Sequence, residues 1–452
     1  MTSLLPPAPV HALTSSIAQL SERCDAQTLR VPLSCEADAL WSMIPSGVAP
    51  VALWYDVHQR SGLLGVGICR EKVIHAPTTL LQIEEAVAQC AQDAPPLHAG
   101  WIGGFRFDVS QHASERWQPF AAARWMLPLL FIELAGDKAF LGAHLDGPET
   151  AREAIRLLQQ WQQLTPHSST TIALDAQDPG EEQRYLRSVE QALSKIAGGD
   201  VEKVVLARTA SASIPPSWTP RETLGRMSQD GDPGILFAIC PTPTNDVGFF
   251  GHTPETLYRR RGMHIETDAL AGTIRTDPDL ATNIRLGQSL LESRKDRREH
   301  QTVVSHLQSF LEAAGADVVE FGAPRIRKMG RVQHLHTPVH ATLSRARPHL
   351  QGLHPTPAVC GHPEKSSRSH ILGAEGFDRG WYAGGIGLIQ DDAESFAVAL
   401  RCANFDHRSH SLEAYAGAGI VAGSQPSSEL EETKDKLAAI ASALAGSTQA
   451  HL

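Results

Sequence analysis

Two segments far apart in the sequence place carboxylates on the apolar side of predicted helices. KDRREHQTVV carries Glu299, and SSELEETKDK carries Glu429 and Glu432. Helical steps of three and four residues align each acid with neighbouring positions. The two stripes are Glu299, Val303, Leu307 and Phe310, and Glu429, Glu432, Lys436 and Ile440. Burying such a carboxylate is unfavourable unless it is paired or ligates a cation, and no arginine stands in register. The pattern indicates an oxygen-ligated ion, most simply Mg2+, with two solvated helix faces as the alternative.

Three polar residues interrupt apolar strand or turn patterns. Lys203 begins the strand KVVLAR, where it either points to water at a strand end or enters a cleft and accepts a proton. Glu255 follows a proline in TPETLYRR, either in a surface turn or as an acid facing a site. Arg401 alternates with alanines in FAVALRCA, which predicts a continuous strand. A guanidinium among small side chains suits bidentate capture of a carboxylate, although a structural ion pair would look the same.

Two short motifs add weaker signals. The backbone amides and hydroxyl of Ala271, Gly272 and Thr273 could hold a carboxylate. In QHLHT, His334 and His336 would face one side of a strand, but no third ligand stands in register, so hydrogen-bonding roles are favoured over a metal pair. The glycine-rich strand ends lack the spacing of nucleotide-binding loops, and no GxSxG or HExxH motif is present.

Composition narrows the class of protein. The chain has 452 residues, and its hydrophobic content of 42% is ample for a large core. A formal net charge of -10 without a basic block argues against nucleic-acid binding. The seven cysteines never occur as CxxC, as a reduced compartment permits. No membrane-length apolar run and no signal-peptide pattern is found, so a cytoplasmic location without membrane association is expected.

The chain divides into two regions of different character. Residues 1–180 mix buried-strand runs with helical stretches at 80–92 and 149–163, and include the glycine-punctuated strand GWIGGFRFD. A Ser-, Thr- and Pro-rich stretch at 164–180 predicts a surface connection. Polar residues set within apolar strands concentrate in residues 181–446. We therefore expect the chemistry in 181–446, with 1–180 as the N-terminal part of the same α/β unit.

Taken in order, these segments resemble the chorismate-utilising enzymes, which include isochorismate, salicylate, anthranilate and aminodeoxychorismate synthases. The matching blocks span roughly 200–440, with GGFRFD as a looser match before them. They are KVVLAR, TPETLYRR, ALAGT, KDRREHQTVV, QHLHT, LHPTPAVCG, RGWYAGGIG, FAVALRCA, AGAGIVAGS and SELEETKDK. The resemblance implies an α/β (α+β) fold with two packed, mostly antiparallel sheets flanked by helices and a site in the cleft between them.

The resemblance also implies a role for each matching residue. Lys203 corresponds to the lysine that activates water, and Glu255 to the acid that protonates the departing C4 hydroxyl. Glu299 and Glu432 correspond to the Mg2+ ligands, with Glu429 one helical turn from Glu432 and assigned to the same metal site. The positions expected to hold or adjoin the substrate dianion are Ala271, Gly272, Thr273, His334, Thr356, Tyr382, Arg401, Gly419 and Lys436.

Within the family, the motifs favour isochorismate synthase, which converts chorismate to isochorismate. PTPAVCG and the isoleucine after AGT resemble the isochorismate-forming members, whereas salicylate synthase is the alternative because it shares the acid, base and metal residues. A non-catalytic chorismate-binding scaffold is a second alternative. Lys203 argues against an aminating member, and no glutamine amidotransferase subunit is expected. The implied partner is chorismate alone, bound by a monomer.

Overall fold

The structure is a computed structural model that describes residues 4–20, 26–35, 40–45, 47, 49–95, 100–164, 170–175, 178–229, 233–329, 332–344 and 350–446. Its α-helices are α1 (Pro7–Leu20), α2 (Leu80–Gln92), α3 (Pro148–Gln163), α4 (Pro179–Ala197), α5 (Arg221–Gln229), α6 (Leu280–Glu292), α7 (Arg294–Ala313), α8 (Leu350–Leu353), α9 (Glu364–Ala374) and α10 (Pro426–Ala445). The predicted helices at 80–92 and 149–163 are confirmed by α2 and α3. No helix of the described ranges is both long and apolar enough to cross a bilayer.

The strands of the described residues all pair antiparallel. They are β1 (Gln27–Leu33), β2 (Val51–Asp56), β3 (Ser61–Ile74), β4 (Trp101–Phe105), β5 (Ala123–Ala135), β6 (Lys138–Leu145), β7 (Lys203–Ser213), β8 (Ile235–Cys240), β9 (Val247–Thr253), β10 (Thr256–Arg261), β11 (His264–Arg275), β12 (Ala316–Phe321), β13 (Arg325–Met329), β14 (Val332–Leu343), β15 (Gly361–His362), β16 (Gly385–Ile389), β17 (Ala393–Val398), β18 (Cys402–Asp406) and β19 (Ser411–Val421).

The strands form two sheets that share one long antiparallel strand pair, β3 and β5. The first sheet runs β1-β6-β5-β3-β2-β8-β9-β18-β19-β7-β15. The second continues from the same strand pair as β5-β4-β16-β17-β10-β11-β14, with β12 and β13 on the far edge of β14. Residues 123–126 of β5 pair with β4, whereas residues 130–135 pair with β6. The predicted mixed fold with a large antiparallel core is confirmed.

The β3–β5 pair changes direction where its regular pairing breaks. Gly67 has a φ of 71°, and the β3–β5 register shifts between Ile68 and Arg70. A side chain at Gly67 would also crowd Leu157 of α3. This irregularity is what a strand needs in order to bend from one sheet into the other.

One hydrophobic core fills the space between the sheets. Phe105 and Phe396 come from the second sheet, and Leu206 and Phe249 from the first. A second core lies on the other face of the first sheet, beneath α1, α3, α5 and α10. The amphipathic stripe predicted on α7 is confirmed, since Val303, Leu307 and Phe310 are buried.

The predicted continuous strand FAVALRCA is wrong. Strand β17 ends at Val398 and β18 begins at Cys402, and the chain crosses between them from the second sheet to the first. Arg401 lies in this crossover with a φ of 47°. Alternation of side chains cannot reveal such a break, because the pattern on each side of it is intact.

Candidate active site

A cavity with about 700 Å³ of empty space lies between the two sheets. Strands β7 and β19 form one wall, β11 and β14 the opposite wall, and α7 and α10 contribute charged side chains. Most of the predicted site residues line it: Glu255, Ala271, Gly272, Thr273, Glu299, His334, Tyr382, Arg401, Gly419, Glu432 and Lys436. Three predicted residues, Lys203, Thr356 and Glu429, are not part of this lining.

Glu255 and Arg401 occupy two adjacent crossovers between the sheets. Glu255 lies between β9 and β10, and Arg401 between β17 and β18. The crossovers are joined by backbone hydrogen bonds, in which the Val398 amide donates to the Glu255 carbonyl at 2.9 Å and the His252 amide donates to the Arg401 carbonyl at 3.2 Å. The fold therefore fixes the acid and the guanidinium relative to each other.

Glu255 is suited to donate a proton. It is buried, and burial raises the pKa of its carboxyl to about 8, with the Asp268 carboxylate adding to the rise and Lys203 and Lys436 opposing it. A carboxyl with this pKa is protonated at neutral pH, as a general acid requires.

Lys203 contacts the cavity through Glu299. Its Nζ lies 2.9 Å from Glu299 Oε1, and the side chains of Lys203 and Glu299 are 1% and 12% exposed. Burial opposes ionisation of Glu299, but Lys203, Lys436 and Lys295 together outweigh it and lower the pKa of this carboxyl. Gly419 leaves room for the pair, since a Cβ atom there would overlap Glu299 Oε1 and approach Lys203 Cε to 3.1 Å.

Helix α10 contributes Glu432 and Lys436 to the cavity. Lys436 Nζ donates to Glu432 Oε1 at 2.8 Å, one helical turn away, and to the Gly417 carbonyl at 2.7 Å. The helix begins with Pro426 and ends at Gly446, whose φ of 67° stops it. The predicted face of Glu429, Glu432, Lys436 and Ile440 thus lies on a real helix, and its acids are paired with lysines rather than arginines.

Glu429 lies one turn from Glu432 but outside the cavity lining. Its carboxylate is 1% exposed and accepts a 2.6 Å hydrogen bond from Lys295 Nζ of α7. Burial and the charge of Glu432 raise the pKa of Glu429, although Lys295 opposes the rise. Lys295 was not predicted from the sequence. Its position one helical turn before Glu299 on the same helix could have indicated it.

His334 links two parts of the cavity wall. Its Nδ1 lies 3.1 Å from Thr273 Oγ1, and its Nε2 lies 3.1 Å from Arg401 Nη2. Burial, together with Arg401 and Lys436, holds the pKa of His334 well below its usual value, so the ring is neutral. Because Arg401 can only donate, Nε2 accepts and Nδ1 carries the proton. The predicted hydrogen-bonding role of the histidines is confirmed here and at His336, which contacts Asp268 at 2.5 Å.

Thr356 lies behind the wall rather than in it. Its Oγ1 accepts from the Ala358 amide at 3.2 Å, and its carbonyl accepts from the Val359 amide at 3.1 Å. Ala358 and Val359 themselves line the cavity. Thr356 thus shapes the turn that forms this part of the wall.

Several lining residues were not predicted from the sequence. Tyr415 stacks on Tyr382 with ring centroids 5.1 Å apart, and this aromatic pair forms part of the first-sheet wall. The other unpredicted lining residues are Val205, Pro254, Leu270, Ala358, Val359, Leu400, Ala416 and Gly417. Most are apolar, and nothing in an apolar strand pattern separates a cavity wall from an ordinary core.

The carboxylates between α7 and α10 provide oxygen donors suited to a divalent cation. Burial raises the pKa of the Asp296 carboxyl, and the nearby negative charges of Glu299 and Glu432 raise it further. A bound cation would relieve this repulsion. Within the described ranges no three His, Cys, Asp or Glu side chains come together as a metal-ligand group. Glu299 and Glu432 both line the cavity, and their carboxylate oxygens could contribute to such a site.

Comparison with known proteins defines the class. The family model for chorismate binding enzymes matches residues 33–445. The chain is therefore an enzyme of the chorismate-binding family, as its ordered motifs predicted.

Its relatives include isochorismate synthases. The salicylate biosynthesis isochorismate synthase of Pseudomonas aeruginosa is 37% identical over 390 residues, covering 82% of this chain and 80% of that protein. The isochorismate synthase MenF of Bacillus subtilis is 30% identical over 356 residues, covering 76% and 74%. The solved structure of MenF, the menaquinone-specific isochorismate synthase from Escherichia coli, aligns with a TM-score of 0.79 at 25% identity, covering 96% of this chain and 100% of that one.

Proposed function

We propose that this enzyme is an Mg2+-dependent isochorismate synthase, which adds water at C2 of chorismate as the C4 hydroxyl leaves. The observation that carries the proposal is the buried Glu255 in the lining of the same cavity as Glu299, whose carboxylate contacts Lys203. One site then offers both a proton donor and a candidate proton acceptor, as an allylic substitution by water requires. The isochorismate synthases among the relatives support the same reaction.

The proposed proton transfers use residues of opposite roles. Lys203 accepts a proton from water as the water oxygen bonds to C2. The ring double bond shifts, and the C4–O bond breaks. Glu255 gives its proton to the departing hydroxyl, which leaves as water. Each transfer contributes roughly 10²–10⁴-fold in rate.

The cationic side chains of the cavity account for substrate binding. Chorismate is a dianion, and Arg401 and Lys436 both line the cavity. Arg401 suits bidentate contact with one carboxylate. Thr273 and the Gly272 backbone border the same space, with Gly272 at a φ of 78° that suits glycine. Together these groups orient the ring between acid and base.

We assign the Mg2+ site to Glu299 and Glu432. Glu429 belongs to the same site and pairs with Lys295 beside it. When bound there, the ion would neutralise and orient a substrate carboxylate. The location in the cytoplasm, the monomeric state and the absence of an amidotransferase partner remain parts of this proposal. The salicylate synthase alternative differs only in eliminating pyruvate afterwards.

Product analysis tests the proposal. Purified protein is incubated with chorismate and MgCl2, with an EDTA-treated sample as control, and the mixture is followed by NMR. We expect isochorismate in equilibrium with chorismate, no pyruvate, and no turnover with EDTA. Stoichiometric pyruvate and salicylate would replace the proposal with the salicylate synthase alternative. Chorismate binding without turnover would favour the scaffold.

A further inference from the structure

Lys295 places a cation among the carboxylates that the proposed metal would use. Its Nζ lies 2.6 Å from Glu429 Oε1, and the side chains of Lys295 and Glu429 are 34% and 1% exposed. Lys295 also lies near enough to Glu432 and Glu299 for both to stabilise its charged form, in addition to Glu429. Lys295 contacts Glu429 directly, whereas Glu432 and Glu299 act on its charge from a greater distance and have Lys436 and Lys203 as their hydrogen-bonded partners.

The side chain of Lys295 has free space into which it can turn. It borders a second hollow, of about 1100 Å³ of empty space, together with Asp296, Glu429 and Glu432. This hollow and the active-site cavity share Thr273 and Glu432 in their linings. Because about a third of the lysine side chain is already exposed, its ammonium can turn toward the hollow without breaking the core.

We propose that Lys295 is an internal counter-ion that neutralises the carboxylates between α7 and α10 when no divalent cation is bound, and that cation binding displaces it toward the outer hollow. Lys295 thereby weakens the affinity for the ion. This inference depends on the proposed metal site at Glu299 and Glu432. Two cations attracted to the same carboxylates repel each other, so the resident ammonium and an arriving Mg2+ compete.

A structural role for the same lysine makes a different prediction. Glu429 is buried, and a buried carboxylate that loses its partner destabilises the folded state. If Lys295 served only to satisfy Glu429, its removal would reduce stability and leave the ion affinity unchanged. Lys295→Gln keeps a hydrogen-bond donor for Glu429 while removing the charge, so this variant is the suitable probe.

The matched control is Lys434→Gln. Lys434 belongs to α10, and its Nζ pairs with Glu182 at 3.1 Å and with Glu431 at 3.0 Å. The control removes the same charge from the protein and lies outside the lining of both hollows. A change seen in Lys295→Gln but not in Lys434→Gln therefore arises from local competition rather than from net charge.

The experiment measures MgCl2 binding by isothermal titration calorimetry without chorismate, and melting temperature with and without MgCl2. We expect Lys295→Gln to bind Mg2+ up to about fivefold more tightly than the parent, since a partly exposed ion pair corresponds to at most about fivefold in affinity. Its melting temperature without the ion should fall, and the rise on adding Mg2+ should exceed that of the parent. Lys434→Gln should bind Mg2+ as the parent does.

Equal or weaker Mg2+ affinity in Lys295→Gln would overturn the inference and leave Lys295 with a structural role. The same samples are assayed for isochorismate, so the two proposals fail separately. Isochorismate formation with unchanged Mg2+ affinity refutes only the counter-ion role. Absence of Mg2+ binding in both the parent and the variant refutes both the counter-ion role and the assigned metal site.

Discussion

Lys203 Nζ lies 2.9 Å from Glu299 Oε1, so the proposed water-activating base and a proposed metal ligand form one buried ion pair. The pair joins the first residue of β7 to helix α7, and Glu299 lines the cavity. Any change that moves one of the two side chains therefore displaces the other. Under the proposed function, binding of the ion and activation of water would be linked through this contact.

Replacing Glu255 tests the proton donor. Glu255→Gln should lower kcat by about 10²–10⁴-fold, because the amide cannot donate a proton to the leaving hydroxyl. Chorismate affinity, measured by calorimetry, should change little. Glu133→Gln is the control, since Glu133 is a buried carboxylate outside the active-site lining. A fully active Glu255→Gln would refute the assignment.

The pH profile provides an independent test of the same residue. The pKa of Glu255 is raised to about 8, so the proton needed for catalysis is present below this value and lost above it. We expect kcat/KM to fall as pH rises through about 8, measured at saturating Mg2+. The residual rate of Glu255→Gln should lack this alkaline decline. If the variant retained it, another group would be responsible.

Gly419→Ala should disable the site while leaving the fold intact. The new methyl group would overlap Glu299 Oε1, which lies at the end of a flexible side chain and can shift. The shift would break the contact with Lys203, so activity should drop at least tenfold with little change in melting temperature. Gly373→Ala is the control, because a Cβ atom at Gly373 has no neighbour within 4 Å. Unchanged activity in Gly419→Ala would show that the pair tolerates displacement.

Replacing Arg401 tests substrate binding separately from the stability of the fold. Its φ of 47° is unfavourable for a residue with a side chain by about 1 kcal/mol. Arg401→Gly should raise KM for chorismate by at least tenfold, through loss of the guanidinium, without lowering the melting temperature. Arg60→Gly is the matched control, with a φ of 50° at a turn outside the cavity lining. A parent-like KM in Arg401→Gly would remove Arg401 from the binding site.

The sequence predicted the residues of the site better than it predicted how they meet. The helical stripes through Glu299 and Glu432 were visible because the spacing of three and four residues is local. The ion pair between Glu429 and Lys295 could not be predicted from the sequence, because these residues belong to helices far apart in the chain. The break between β17 and β18 at Arg401 was not predicted, because a change of backbone direction does not alter the alternation of side chains on either side of it.

The burial of Glu255 could not be predicted from the sequence either. A proline–glutamate turn is compatible with a solvated surface, and only the two crossovers between the sheets enclose it. The two-sheet architecture came from the family resemblance. The shared strand pair β3–β5 has no sequence signal beyond Gly67, one glycine among several in β3.

The pairing of early strands with late ones has a consequence for synthesis. Strand β2 uses one edge for β3 and the other for β8, and β4 pairs with β5 and β16. On the ribosome, β2 and β4 therefore emerge well before the partners of their second edges. Contacts of such sequence separation form slowly, and an open strand edge is a site for association with other chains. We expect the nascent chain to depend on chaperone protection until its last third has been translated.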